Sequence, residues 1–104
     1  MKYKVIVYVP VTDADKMRQV LGEAGGGRIG DYDFCSFSVT GIGRFRPLKG
    51  ANPAIGEVGK HTKVEEERIE TEVEENFLED LLDRVKKAHP YEEPVIEVME
   101  LRGT

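Results

Sequence analysis

Apolar residues recur along this chain with two periods, and the switches between them outline the fold. Over residues 2–9, Tyr3, Val5, Val7 and Val9 alternate with Lys2, Lys4, Ile6 and Tyr8. A period of two in a β-branched run predicts a strand. Its second face is not purely polar, because Ile6 and Tyr8 also need cover. The period then lengthens. Met17, Val20, Leu21 and Ala24 fall at i, i+3, i+4 and i+7, one stripe of an amphipathic helix. Thr12 or Asp13 is the expected N-cap, and Gly25-Gly26-Gly27 the stop, because glycine takes the left-handed cap at low steric cost.

After a turn at residues 28–32, period two returns over 33–40. Cys35, Phe37 and Val39 fall on one side and Phe34, Ser36 and Ser38 on the other. Cys35 is expected there as a small core residue. Residues 60–73 predict a third strand, strongly acidic. Val64, Ile69 and Val73 do not share a parity, so a β-bulge is expected between Glu65 and Arg68. The run of glutamates suggests a ribbon extending beyond the sheet. Asn76 and Glu79 have capping-box spacing, and Leu78, Leu81, Leu82 and Val85 form a second helical stripe. Lys86, Lys87 and His89 suit the helix C-terminus, and Pro90 ends it. A last strand over 94–101 sets Val95, Met99 and Leu101 against Ile96 and Val98.

The order βαββαβ predicts an α+β, ferredoxin-like sandwich with both helices on one face of a four-stranded antiparallel sheet. The other face carries Ile6, Tyr8 and either Ile96 and Val98 or their neighbours. Apolar residues on an uncovered face mark an interface, so a homo-oligomer is expected.

Between the second and third predicted strands lies a long loop, residues 41–59, rich in Gly and Pro. Such a connection is uncommon in a compact domain and is usually functional or disordered. Phe45 and Ile55 give it apolar anchors and argue for order. Gly41-Ile42-Gly43 lacks the third glycine of the dinucleotide fingerprint, and neither a Walker sequence nor Gly-x-Ser-x-Gly occurs. What the loop offers is backbone amides beside Arg44, Arg46 and Lys49, a cradle for phosphate or carboxylate. The candidate ligand-binding set is Gly41, Gly43, Arg44, Arg46, Lys49, Gly50 and Asn52. The alternative is a structured turn with solvated basic side chains.

Composition narrows the function classes. The 104 residues are expected to form one domain, 1–104, and a net charge of −5 disfavours nucleic acid as partner. The single cysteine cannot form an internal disulfide, which fits a cytoplasmic location. The apolar run at 5–11 is too short for a signal peptide, and no stretch approaches the roughly 20 apolar residues of a membrane span, so no membrane association is expected. Neither histidine makes a zinc spacing with Cys35. A divalent metal would have to be held by Cys35, His61, His89, Glu92 and Glu93 assembled in space. Each histidine also reads as structural, His89 as a helix cap and His61 as a surface residue. No nucleophile–base pair is evident, so catalysis is not expected. The acidic stretch at 65–75 reads as a solvated face or as a surface for a basic partner.

Four segments carry a resemblance: Cys35-Ser36-Phe37, Gly41-Ile42-Gly43-Arg44-Phe45-Arg46-Pro47, Gly50-Ala51-Asn52-Pro53-Ala54-Ile55-Gly56 and His89-Pro90-Tyr91-Glu92-Glu93-Pro94. With the turn at 25–32 and the strand at 64–69, they make the chain similar to the inserted domain of the YqfO family, also labelled Nif-three-like or GTP cyclohydrolase type 2. The resemblance covers nearly the whole chain. The His-Pro-Tyr-Glu ending also resembles that of CutA, a trimeric relative of the PII signalling proteins. These likenesses imply a PII/CutA-like fold and a trimer. In the full-length family the dinuclear metal centre lies in two halves flanking the insert. The expectation here is a stand-alone insert without those halves, so hydrolase activity is not carried over. What the resemblance implies is a non-enzymatic regulatory module taking an anionic small molecule, such as a nucleotide, in clefts between subunits. CutA's link to divalent metals implies the alternative of a metal-binding protein, and the acidic stretch a third reading as an interaction module.

Overall fold

Val5, Val7 and Val9 are fully buried, with Ile69 and Val73 packed in the same core. Alternation predicts this for one face of a sheet. They belong to β1 (Lys2–Pro10) and β3 (Thr62–Glu74), antiparallel neighbours in a four-stranded sheet completed by β2 (Phe37–Phe45) and β4 (Ile96–Leu101). The computed structural model describes residues 1–102; residues 103–104, where the expected domain ends, lie outside the described residues. The strand order is β2-β3-β1-β4 with every pairing antiparallel. The chain therefore adopts the expected ferredoxin-like βαββαβ arrangement.

A single 3-10 turn at Val11–Asp13 leads into α1 (Ala14–Glu23), and β3 runs directly into α2 (Glu75–Ala88). Both helices turn their predicted stripes onto the same sheet face. Met17, Leu21, Leu81 and Val85 are each at most 2 % exposed. Burying such a side chain stabilises the fold by roughly 1.5–3 kcal/mol. The glycine run does more than stop α1. Gly27 has φ 82°, its N–H donates to Glu72 O (2.7 Å), and its carbonyl accepts from Cys35 N–H (3.0 Å). The chain passes so near the Cys35 backbone that a β-carbon at Gly27 has no room.

Four local expectations are corrected. The second strand starts at Phe37, not at 33, and runs on to Phe45, through the first five residues of the expected loop. Residues 33–36 leave the sheet because Phe34 takes φ 57° and sets its ring against Gly22, while Thr71 Oγ1 donates to the Cys35 carbonyl (2.8 Å). Cys35 is thus a half-buried residue outside the strand rather than a core residue within it. The expected β-bulge is absent, since β3 keeps an unbroken register from Thr62 to Glu74. Val64 differs in parity because it belongs to the opposite face, opposite Gly43. The capping box is not used either. Asn76 lies inside α2, whose first N–H, that of Glu75, donates to Met1 O (3.0 Å).

The register also decides the uncovered face. Val5 pairs with Val98 and Val7 with Ile96, so these β4 residues share the helix-covered side. The uncovered face carries Ile6 and Tyr8 with the alternatives to Ile96 and Val98, namely Val95, Met99 and Leu101, and with Phe37 and Val39 from β2. Phe37 is 65 % exposed and Val95 54 %. Lys4 (3.4 Å) and Arg68 (3.2 Å) both pair with Glu70 on this face.

Two substitutions check this packing by urea unfolding. Leu81→Ala is expected to destabilise by about 2–5 kcal/mol. Gly30→Ala, at φ 56° with open space around it, should cost about 1–2 kcal/mol, and Gly27→Ala distinctly more. Equal losses at the two glycines would contradict the close approach of Cys35.

Candidate functional site

The Gly- and Pro-rich loop and the His89–Pro94 segment, far apart in sequence, meet at one end of the sheet. β2 and β3 continue as a two-stranded ribbon past the end of β1, pairing Gly43 with Val64 and Phe45 with Thr62. Beyond Phe45 the loop folds back on itself. Ala51 N–H donates to Leu48 O (3.0 Å) around Gly50 at φ 99°, and Gly59 N–H donates to Pro47 O (2.7 Å). Pro47 is buried at its base. Across from the loop, the Asn52 N–H donates to Glu92 Oε1 (3.0 Å), and the Phe45 and Tyr91 rings stand 6.4 Å apart at 55°. Between these walls lies a cleft of about 320 Å3, lined on the loop side by Phe45, Arg46, Pro53 and Ile55 among others, and on the far side by Tyr91, Glu92 and Glu93.

Tyr91 is the most constrained wall residue. Its hydroxyl donates to Glu66 Oε2 (2.8 Å), and its backbone N–H donates to His89 Nδ1 (3.1 Å). His89 Nε2 lies 2.6 Å from Tyr8 O, which can only accept, so the imidazole is the neutral Nε2–H tautomer. His89 ends α2 in an extended conformation set by the following proline. The Glu66 carboxylate lies over Gly43, where any β-carbon would collide with it. A chain of contacts therefore runs from β1 through His89 and Tyr91 to Glu66 and the ribbon. Burial, and after it the hydrogen bond to Glu66, push the Tyr91 phenol well above its ordinary value of 10.0.

The residues singled out in the sequence are distributed unevenly. Of the ligand-binding set, Arg46 lines the cleft and Asn52 braces it. Gly50 shapes the loop turn, while Gly41 and Gly43 line a separate shallow hollow of about 240 Å3 with Tyr8 and Arg68. Arg44 alternates to the other side of the ribbon from Phe45, and Lys49 lies in the exposed Leu48–Ala51 turn. The metal-ligand set is dispersed. His89 is bonded to Tyr8 and Tyr91, Glu92 to Asn52, Cys35 sits beside Gly27, and His61 is exposed at the foot of β3. Among the described residues, no three His, Cys, Asp or Glu side chains are placed to hold a metal ion. No helix among them is long and apolar enough to cross a membrane. Sequence reasoning did not single out Tyr91 or Glu66. Tyr91 carried a signal, as an aromatic within His-Pro-Tyr-Glu-Glu-Pro; Glu66, one of three consecutive glutamates, carried none.

No family model matches the chain. It is 44 % identical over 99 residues to a GTP cyclohydrolase 1 type 2 homolog of Halalkalibacterium halodurans, covering 95 % of this chain and 27 % of the relative. The corresponding Bacillus subtilis protein is 43 % identical over 101 residues, with 27 % of its length covered. The crystal structure of a Bacillus cereus protein related to NIF3 superposes with a TM-score of 0.84 at 40 % identity, over 98 % of this chain and 26 % of that one. The divalent cation tolerance protein CutA of Archaeoglobus fulgidus, described as periplasmic, superposes with a TM-score of 0.71 at 18 % identity over 88 % of its length. The chain thus spans about a quarter of the length of the curated relatives it matches. It matches one segment of these NIF3-related proteins and shares its fold with CutA.

The contact chain at Tyr91 is open to test. Tyr91→Phe should lose about 1 kcal/mol of stability for a part-buried bond to a carboxylate. Gly43→Ala displaces that carboxylate, so the double variant should lose less than the two single losses combined. A phenol raised in the folded state contributes stability fully below its ordinary value of 10.0 and loses it as pH rises above that. Alkaline unfolding of Tyr91→Phe should accordingly show a shallower decline above about pH 10 than the parent chain; parallel curves would refute the assignment.

Proposed function

We propose that this counterpart of a NIF3-related segment, folded like CutA, works as an oligomeric module that binds an anionic small molecule and performs no reaction itself. The observation carrying this reading is the cleft between the loop and the Tyr91–Glu93 wall. Its volume of about 320 Å3 falls at the lower end of small-molecule sites, roughly 300–1,000 Å3. Arg46 borders it, and among the described residues this guanidinium has no ion-pair partner. Two polar wall residues are already held by neighbours, Tyr91 by Glu66 and Glu92 by the Asn52 N–H. That arrangement suits a shaped receptor better than a reacting centre. Of the remaining sequence-derived binding set, Asn52 braces the cleft through Glu92 and Gly50 shapes the loop turn beside it.

The uncovered sheet face supports the assembly half of this reading. Phe37, Val39, Val95 and Met99 are each 42–65 % exposed there. A second and third copy of the chain would cover them, and both β2 and β4 present open edges to a neighbour. We read the assembly as a trimer with the loops at subunit boundaries, in the cytoplasm.

Calorimetry with a panel of nucleotides and small carboxylates, and light scattering, test the two halves. At least one small anion should give saturable heat, weakened about tenfold, or about 1.4 kcal/mol, by Arg46→Ala. The scattering mass should be three chains. No heat across the panel refutes the binding role, and a clean monomer refutes the assembly.

A further inference from the structure

We propose that the cleft selects a flat aromatic molecule carrying one anionic group, a carboxylate or sulfonate, rather than a polyphosphate. The proposal rests on the reading of this cleft as a ligand site and concerns only its preference.

The walls are predominantly apolar. Phe45 and Tyr91 set two rings at 55° to each other, and Pro53 and Ile55 face the same space. Such a corner accepts an aromatic ring edge-to-face or offset against either wall. The Tyr91 hydroxyl is bonded to Glu66, so the ring rather than the hydroxyl is left to meet a ligand. Holding Tyr91 at both its hydroxyl and its backbone N–H fixes the ring before a ligand arrives, which lowers the ordering cost of binding.

Charge sets the second half of the preference. Arg46 is the one cation among the lining residues, and Glu92 and Glu93 set two carboxylates against it. A guanidinium offers a planar fork that fits one carboxylate or sulfonate in two parallel hydrogen bonds. A polyphosphate needs several cations and would meet repulsion from both glutamates. Neither Arg44 nor Lys49 lines the cleft to offset this, because Arg44 points to the other side of the ribbon from Phe45 and Lys49 sits in the Leu48–Ala51 turn.

The test uses the full chain and four probes: naphthoate, the neutral naphthylmethanol, ATP and inorganic triphosphate. Binding is followed by calorimetry and by backbone amide shifts. Naphthoate should saturate, shift amides within residues 45–55 and 91–93, and bind at least about tenfold tighter than ATP or triphosphate. Arg46→Ala, at an exposed position, should bring naphthoate down to the level of naphthylmethanol and leave naphthylmethanol unchanged. Tyr91→Phe keeps the ring and should retain most naphthoate binding, whereas Tyr91→Ala should lose at least about tenfold. Tighter binding of ATP or triphosphate, dependent on Arg44 and Lys49, overturns the aromatic preference while leaving the small-anion role standing. Naphthoate shifts centred on the uncovered sheet face and indifferent to Arg46→Ala overturn the assignment of the cleft. No binding by any of the four probes overturns the aromatic preference, and the small-anion role then falls only if the wider panel of nucleotides and carboxylates is silent too.

Discussion

The thirteen-residue β3 is hydrogen-bonded on both sides, and its two registers are offset by four residues. It pairs with β1 over Glu66–Glu74 and with β2 over Thr62–Glu70. The middle of β3 therefore ties the two halves of the sheet together, and its first four residues carry β2 out beyond β1 as a ribbon. Everything at the candidate site follows from that overhang. It lifts Phe45 and the loop past the sheet end. It also puts Glu66 where the four-stranded sheet narrows, opposite Pro10 on one side and Gly41 on the other. From there its carboxylate reaches across Gly43 and receives the Tyr91 hydroxyl.

The two sheet faces are built by different physics. The helix side is a dry core of Val, Ile, Leu and Met, close-packed enough that a methylene is felt. Arg18 staples its margin, donating to Glu67 (2.5 Å) and Ser38 (3.1 Å) on the strands and to Asp15 (2.6 Å) on its own helix. The other face mixes exposed apolar side chains with the Lys4–Glu70–Arg68 ion pairs. Surface pairs of this kind contribute little stability alone, about 0–1 kcal/mol each. Between the apolar side chains they break up what would otherwise be a continuous apolar patch. β2 and β4 form the two edges of the sheet, where backbone groups on one side lack a strand partner.

The cleft joins two segments that each look incomplete alone. The loop has shape, from its Leu48–Ala51 turn and the Gly59–Pro47 bond, but one cation at the opening. The His89–Pro94 segment supplies the fixed aromatic and the acidic wall. The fold shared with CutA fits the placement, since the connection from α2 to β4, at the far edge of the sheet, comes out at the end where the β2–β3 ribbon projects. Fold alone does not name a ligand.

Periodicity was enough to determine the element order, the helical stripes and the α+β class. Val5, Val7 and Val9, and Leu78, Leu81 and Val85, bury themselves by hydrophobicity whatever their exact neighbours. The motifs in the loop and around His89 also carried the likeness to the NIF3-related proteins. Local pattern could not determine the reach of β2, since two glycines argue against a strand and only pairing with β3 overrides them. It could not place Cys35, whose position is set by Gly27 and Thr71 rather than by alternation. It gave Glu66 no distinction from Glu65 and Glu67. Which glutamate meets Tyr91 is decided by a register offset between strands distant in sequence, and such an offset exists only once the sheet has formed.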